Sequence, residues 1–253
     1  MKVTDKLEDD IWDSPFSMDL YGDAITEIKD IRNNKFLRVC CTQLLISPKE
    51  QKRILNDWLN AIPFLSIDFL MFSCHVPQSL INAIGQNHLI KGLYIKWTKA
   101  KSIKPITTIH NLEHLYIGQA SSLLDINEII ILQNLKSLHI ESTSHTSNYN
   151  FLRLLVNLEV LEIEGGFSKL LKLDSIDSFI GSLKCLKSLS LVAVKCPLPD
   201  INEILKLKKL VNLCMVEEYC SKELQIIRRN LTNLKYDQEY YSALRLRNLQ
   251  KTN

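Results

Sequence analysis

One leucine-spaced phrase recurs along the chain and constrains its fold more than any other feature. It occurs as LQNLKSLHIE at 132–141, LVNLEVLEIE at 155–164 and LKCLKSLSLV at 183–192. In each copy the first, fourth, seventh and ninth positions are apolar, whereas the residues between them change. The last two apolar positions flank one outward residue, which is the pattern of a short strand with one buried face. One copy cannot bury its leucines alone, so the phrase predicts stacked units that share a continuous core.

Seven copies keep this register over most of the chain. Their third apolar position falls at residues 70, 93, 115, 138, 161, 189 and 213, at intervals of 23, 22, 23, 23, 28 and 24 residues. These intervals and residues resemble those of the leucine-rich-repeat superfamily, over roughly residues 60–235. The resemblance implies an α/β leucine-rich-repeat solenoid, with a curved parallel sheet on the concave side and helical or 3-10 segments on the convex side.

The two ends of the repeat array need caps, because an uncapped repeat exposes its core. We predict an N-terminal cap over residues 1–60, leucine-rich repeats over 61–219 and a C-terminal cap over 220–253. The cap regions supply apolar residues for this purpose, among them Ile11, Trp12, Phe16, Leu20, Tyr21, Leu224 and Ile227. A degenerate first repeat is predicted around Cys41, Leu44 and Ile46. A last, incomplete unit begins at Leu231 and breaks at Asp237.

Two details of the repeats bear on the resemblance. The segments DINEIIILQN at 125–134 and DINEILKLKK at 200–209 resemble the back-side segments of bacterial repeats, in which the Asp caps a short helical turn. The family usually has Asn or Cys three residues after the last strand leucine, where it binds neighbouring backbones in a ladder. This chain departs from that pattern, since those positions hold Ala120, Thr143, Gly166, Val194 and Glu218.

The outward residues of the predicted strands form a candidate surface for binding another protein. Solenoids use their concave surface in this way, and tyrosines beside charges are typical of protein-binding surfaces. An aromatic and apolar stripe lies toward the N-terminal half, and an acidic patch with one histidine lies near the centre. The predicted partner-binding residues are Phe69, Met71, Tyr94, Lys96, His114, Tyr116, His139, Glu141, Glu162 and Glu164. The alternative is that these residues are only the polar sides of the strands.

Combinations of residues with a chemical function are few. His139 and Glu162 occupy the same column of adjacent predicted strands, at about 5 Å, where a surface hydrogen bond is favoured over an acid–base pair. Cys74-His75 and Cys40-Cys41 lack the spacing that lets side chains converge on zinc, and favour reduced, half-buried cysteines. The sequence contains no Gly-rich phosphate loop, GxSxG motif or HExxH motif. We therefore predict no enzyme activity, no cofactor and no metal.

Two segments leave alternatives open. The run KGLYIKWTKAKSIK at 91–104 has five lysines, no acids and two interleaved aromatic residues, Tyr94 and Trp97. Such runs can hold single-stranded nucleic acid, but a lysine-rich loop with Trp97 packed on the repeat edge is favoured.

The longest interval between repeats, 28 residues, contains a loop at 165–177 with Gly165 and Phe167. This loop is either part of a partner site or simply a longer return segment.

Charge and hydropathy argue against a nucleic-acid-binding protein, a secreted protein and a membrane protein. A net charge of +3 is too small to identify a nucleic-acid-binding protein. The N-terminus MKVTDKLEDD has acids where a signal peptide needs an apolar core, and the apolar runs are too short to span a bilayer. A cytoplasmic location without membrane association is expected, in which the seven cysteines stay reduced.

We therefore predict a non-catalytic module that binds another protein through its concave face. A composition rich in Lys, Ile and Asn looks bacterial and suits an immunity or antitoxin protein that neutralises a toxin domain with a basic surface. The first alternative is an adaptor or regulatory subunit of a cytosolic enzyme, since the repeats also resemble those of phosphatase-regulating proteins. The second alternative is an enzyme that uses His139 and Glu162.

Overall fold

Each copy of the leucine-spaced phrase forms a short strand, as its alternating residues predict. The computed structural model describes residues 18–32, 35–143, 145–146, 148–166 and 170–243. The chain divides into two compact units, Asp13–Thr146 and Ser147–Asn253 with Met1–Trp12, and each is described by itself. No helix among the described residues is long and apolar enough to cross a membrane.

The first unit contains a parallel sheet whose strands pair in chain order. The strands are β1 (Phe36–Val39), β2 (Phe69–Val76), β3 (Gly92–Thr98), β4 (His114–Ile117) and β5 (Ser137–Glu141). In this pairing the predicted third positions lie opposite one another: Leu70, Leu93, Leu115 and Leu138. All four have no exposed surface, so the predicted register is confirmed for these strands.

Helical segments return the chain between the strands of the first unit. They are α1 (Met18–Tyr21), α2 (Pro48–Ala61), α3 (Gln78–Ile84) and the 3-10 segments Ile28–Asp30, Ile62–Phe64, Lys104–Thr108 and Asn127–Ile131. Helix α2 begins with Pro48 after Ser47, whose side chain accepts a hydrogen bond from the backbone of Glu50. Ile54 and Trp58, four residues apart, form its buried face.

The degenerate first repeat lies earlier than the sequence predicted. Its strand is β1, in which Leu37 pairs with Leu70 of β2, and not the segment that contains Leu44 and Ile46. Leu44 is half-buried and Ile46 is 43% exposed, because both precede helix α2. The pattern was missed because Asn34 stands where the phrase has its second leucine.

The second unit contains three strands of the same kind and a small additional sheet. Strands β6 (Val160–Glu164), β8 (Ser188–Val192) and β10 (Asn212–Cys214) are parallel, with Leu161, Leu189 and Leu213 in register. Strand β7 (Leu171–Lys172) pairs with β9 (Val194–Lys195). The helical segments are the 3-10 turn Asn150–Leu154, α4 (Asp177–Ile180), α5 (Ile201–Ile204) and α6 (Ser221–Asn230). The predicted Asp cap is confirmed at α5, where Asp200 accepts a hydrogen bond from the backbone of Asn202 at 2.7 Å.

Asp237 ends the repeat pattern, as predicted. Tyr236 pairs with Asn212 of β10, so Asp237 takes the position that leucine has in the other repeats. Its carboxylate is buried and accepts two hydrogen bonds from Arg228 of α6, at 2.6 and 2.9 Å. Helix α6 buries Leu224 and Ile227, the two residues named for the predicted C-terminal cap.

At the N-terminal side of the first unit, Tyr21 is buried with its ring edge-on to Phe36, at 5.5 Å between centroids. Leu20, predicted to help cover the first repeat, is 45% exposed. Ile11, Trp12 and Phe16, predicted for the same purpose, lie outside the described residues.

In the first unit, two threonine hydroxyl groups and a backbone amide make the hydrogen bonds that an Asn ladder makes in other leucine-rich repeats. The hydroxyl of Thr98, three residues after Ile95, donates to the carbonyl of Val76 at 2.8 Å. Thr42 donates in the same way to the carbonyl of His75 at 2.5 Å. After β4, the backbone amide of Ala120 donates to the carbonyl of Glu141 at 3.0 Å. The repeats therefore remain connected through groups that need no Asn side chain.

Candidate functional site

The outward face of β1 to β4 carries a first row of rings. This row consists of the residues one step before the central leucine. The rings of Phe36 and Phe69 are stacked, with centroids 4.8 Å apart and planes 8° apart. Phe69 lies in turn 6.2 Å from His114. Phe36 was not predicted as a site residue, because its strand was not recognised in the sequence.

A second row of rings comes from the residues between the two strand leucines. Tyr94 and Tyr116 are stacked with centroids 4.0 Å apart and planes 19° apart. The ring of Tyr116 lies 4.1 Å from that of His139. Together the two rows form a set that we call the aromatic ladder: Phe36, Phe69, Tyr94, His114, Tyr116 and His139.

Glycines create the space that the rings occupy. A Cβ atom added at Gly92 would lie 2.3 Å from Cδ1 of Phe69, so the ring of Phe69 fills the place of a side chain on β3. A Cβ atom added at Gly118 would lie 2.9 Å from Cε1 of Tyr116. Gly92 therefore leaves room for the ring of Phe69, whereas Gly118 leaves room first for the carbonyl oxygen of Lys96, at 2.4 Å, and then for the ring of Tyr116.

Seven of the ten predicted partner-binding residues are half-buried. In the first unit these are Phe69, Tyr94, Lys96, Tyr116 and His139; in the second unit they are Glu162 and Glu164. Half-buried side chains on the outward face of a sheet can contact a partner while their own position stays fixed by neighbours. Their role in binding remains a prediction.

The prediction of an exposed side chain is wrong for Met71, His114 and Glu141. Met71 has no exposed surface, since its neighbours on β1 and β3 are the long side chains of Arg38 and Tyr94. His114 is 8% exposed and lies against the ring of Phe69. Glu141 is also 8% exposed, and its Oε2 accepts a hydrogen bond from the hydroxyl of Tyr116 at 3.4 Å.

The burial of Glu141 removes one exposed carboxylate from the predicted acidic patch. Glu141 belongs to β5 of the first unit, whereas Glu162 and Glu164 belong to β6 of the second. His139 likewise belongs to the first unit, so it and Glu162 are placed only within their own units. Within the first unit, the face that contains the aromatic ladder therefore has no exposed carboxylate among the predicted residues.

The lysine run at 91–104 is partly structural. Lys91 pairs with Asp68 at 3.5 Å and Lys104 with Glu128 at 4.0 Å. The ammonium group of Lys96 lies 4.5 Å from the centroid of the Trp97 ring, a cation–π contact. Trp97 is half-buried beside His75 of β2, which fits the alternative that it packs on the edge of the repeat.

The 28-residue interval between the central leucines of β6 and β8 contains the short strand β7. Leu171 and Lys172 pair with Val194 and Lys195, which fits the alternative of a longer return segment. Gly165 makes a close approach possible here, since an added Cβ would lie 2.1 Å from the carbonyl oxygen of Ala193. Phe167, part of the predicted loop, lies outside the described residues.

The structure brings two of the noted cysteines together. Cys41 and Cys74 are buried at the ends of β1 and β2, and the backbone amide of Cys41 donates to Sγ of Cys74 at 3.3 Å. Hydrogen bonds from the side chain of Cys41 and from Thr42 lower the pKa of Cys74 to about 5. The hydrogen bond to Cys74, together with burial, raises the pKa of Cys41. None of the described cysteines belongs to a cluster of three metal-binding side chains.

Comparison with solved structures identifies the fold. An internalin from Listeria monocytogenes superposes with a TM-score of 0.56 and 18% identity, over 81% of this chain and 54% of the internalin. A TDR receptor superposes with a TM-score of 0.51 and 18% identity, over 70% of this chain and 31% of the receptor. The chain thus spans about half of the internalin and a third of the receptor. No protein-family model matches the chain, and no curated protein matches its sequence. The predicted leucine-rich-repeat fold is confirmed by these structures.

Proposed function

We propose that this leucine-rich-repeat chain is a non-catalytic module that binds another protein through the aromatic ladder of its first unit. The supporting observation is the second row of the ladder, Tyr94, Tyr116 and His139, whose rings are spaced 4.0 and 4.1 Å apart and are half-buried. Rings held against each other lose little side-chain entropy when a partner covers them, and each supplies a large apolar contact.

The composition of the second row also supports binding. Tyrosine and arginine dominate the binding energy of protein interfaces, and Arg38 lies in the same row as the two tyrosines, across Met71. The backbone of this row is fixed by the parallel sheet, so the contact surface exists before a partner arrives. A preformed surface of this kind reduces the ordering cost of association.

The test is a titration with the native partner, first identified by affinity capture from the source cells. The variant Tyr94→Ala/Tyr116→Ala removes the central rings and should weaken binding by at least about 30-fold, since two interface tyrosines each contribute about 1–2 kcal/mol or more. Phe64→Ala is the matched control, because Phe64 is 87% exposed on a return segment away from the sheet. Equal affinity of the double variant and the wild type, with unchanged circular dichroism, would refute the proposal.

Within this class we propose an immunity or antitoxin role in the cytoplasm, with an adaptor or regulatory subunit as the alternative. The support is compositional: the chain is rich in Lys, Ile and Asn. An immunity protein should restore growth when it is co-expressed with its toxic partner, and should bind it at nanomolar affinity or tighter. An adaptor would instead change the activity of a partner that is harmless when expressed alone.

A further inference from the structure

Three lysines at the carboxyl end of β3 differ from the others in the same run. Lys91 and Lys104, at the two ends of the run, are ion-paired. Lys96, Lys99 and Lys101 make no ion pair with any residue that the structure describes. Lys99 and Lys101 are exposed, and the buried Ala100 separates them. Lys96 makes a cation–π contact with Trp97, so the middle of the run presents positive charge without a carboxylate partner among the described residues.

The loop that carries Lys99 and Lys101 is held in place by the side chains of Thr98 and Gln78. The hydroxyl of Thr98 donates to the carbonyl of Val76 and accepts from the amide of Ala100, at 2.8 and 3.0 Å. The side-chain amide of Gln78 accepts from the backbone of Lys101 and Ser102 and donates to the carbonyl of Ser102. These five hydrogen bonds hold the residues on both sides of Lys99 and of Lys101, and one of them binds the backbone amide of Lys101 itself. A loop with fixed backbone and free lysine side chains is suited to contact a partner at low entropic cost.

The lysines adjoin the aromatic ladder. Lys96 follows Tyr94 by two residues on β3, so both side chains leave the sheet on the same face. Glu141, the predicted acid on this face, is buried under the hydroxyl of Tyr116. Lys96 therefore lies on the face of the aromatic ladder, and Lys99 and Lys101 follow it as exposed residues of the loop after β3.

The chemistry of this surface favours a protein segment over nucleic acid. Residues 13–146 contain 13 basic and 12 acidic residues, so the first unit lacks the strong positive field that holds a polyanion. The ring of Trp97 is covered by the ammonium group of Lys96, and Tyr94 and Tyr116 stack on each other. Each of these rings therefore already has one face occupied, which leaves less room for unpaired bases to stack.

We infer that Lys96, Lys99 and Lys101 bind an acidic segment of the protein partner, with carboxylates on the lysines and neighbouring apolar side chains on the aromatic ladder. This inference rests on the proposed function and specifies the charge of the partner. It differs from the sequence-based expectation of a partner with a basic surface, which depended on the acidic patch.

The test uses fluorescein-labelled 12-residue peptides of alternating Glu and Tyr, their Lys and Tyr counterpart, and a 12-nucleotide oligothymidylate, measured by fluorescence anisotropy. The wild type should prefer the Glu–Tyr peptide, and added salt should weaken this binding. Lys96→Gln/Lys99→Gln/Lys101→Gln should weaken it at least about tenfold. The matched control, Lys29→Gln/Lys49→Gln/Lys52→Gln, removes the same charge from exposed positions elsewhere in the first unit and should leave binding unchanged.

Equal binding of the Glu–Tyr peptide by the lysine triple variant and the wild type would overturn the inference. So would a preference of the wild type for the oligothymidylate, or self-association that disappears in the triple variant. The two proposals fail in different ways. Native-partner binding that is lost in Tyr94→Ala/Tyr116→Ala but kept in the lysine variant refutes the acidic segment alone. Native-partner binding that is kept in the tyrosine variant refutes the proposed function.

Discussion

Thr98 provides a direct test of how the first unit holds its strands together without an Asn ladder. Its side chain is 2% exposed, and its hydroxyl makes the two hydrogen bonds to Val76 and Ala100. Thr98→Val keeps the branched shape but leaves one buried carbonyl and one buried amide without this partner. Each such group costs about 1–3 kcal/mol, and partial relaxation reduces the sum. We expect the free energy of unfolding to fall by about 2–4 kcal/mol.

The assay is guanidinium denaturation followed by tryptophan fluorescence and far-ultraviolet circular dichroism. The midpoint should shift to lower denaturant with an unchanged slope, which indicates a change in stability rather than in the unfolded state. Thr98→Ser is the matched control, because it keeps the hydroxyl and loses one methyl group, at about 1 kcal/mol. If Thr98→Val is as stable as the wild type, or more stable than Thr98→Ser, the assigned role of the hydroxyl is wrong.

The same substitution should loosen the loop that follows. Hydrogen exchange at the amides of Ala100 and Lys101 should become faster in Thr98→Val, because one of their fixed contacts is removed. Binding of the Glu–Tyr peptide should weaken in parallel, although no lysine is changed. If exchange becomes faster but peptide binding is unchanged, the rigidity of the loop does not contribute to peptide binding.

Three further predictions concern other parts of the chain. Arg228→Gln leaves the buried carboxylate of Asp237 without its cation and should lower the unfolding free energy of the second unit by about 1–3 kcal/mol in calorimetry; a change below about 0.5 kcal/mol would contradict the ion pair. Gly92→Ala places a Cβ 2.3 Å from the ring above it and should both destabilise the first unit by about 1–3 kcal/mol in denaturant and weaken partner binding. Burial raises the pKa of Cys196 to about 11, so a disulfide reagent at pH 8 should modify the exposed Cys220 well before it. The contribution of Cys196 to stability is present below its ordinary pKa of 9 and is lost as the pH rises through about 11, which pH-dependent denaturation would detect.

The stacked leucines were predictable because their environment is set by the repeat itself. Leu93 and Leu115 lie opposite each other on adjacent strands, and each needs only another copy of its own unit to be buried. The spacing of the phrase therefore contains all the information that fixes this part of the fold. The same holds for the Asp cap of α5, which depends on residues within one short segment.

The outward residues were harder to predict because their exposure depends on neighbours in other repeats. Met71 is an outward residue by position and is buried by the longer side chains on either side. Glu141 is buried because Gly118 leaves room for it beside the hydroxyl of Tyr116. Alternation along one strand cannot reveal such effects, since they depend on the sizes of side chains across the register.

The carboxylate of Asp237 also affects whether a further repeat can stack on the last one. A strand at the edge of a sheet is a template for another chain unless charge or covering blocks it. At the last leucine position, the buried carboxylate of Asp237 and its ion pair with Arg228 stand in place of an apolar side chain. A copied repeat, or a repeat from a second molecule, would meet this ion pair where stacking needs a leucine. We therefore expect this ion pair to disfavour both additional repeats and end-to-end association of the chain.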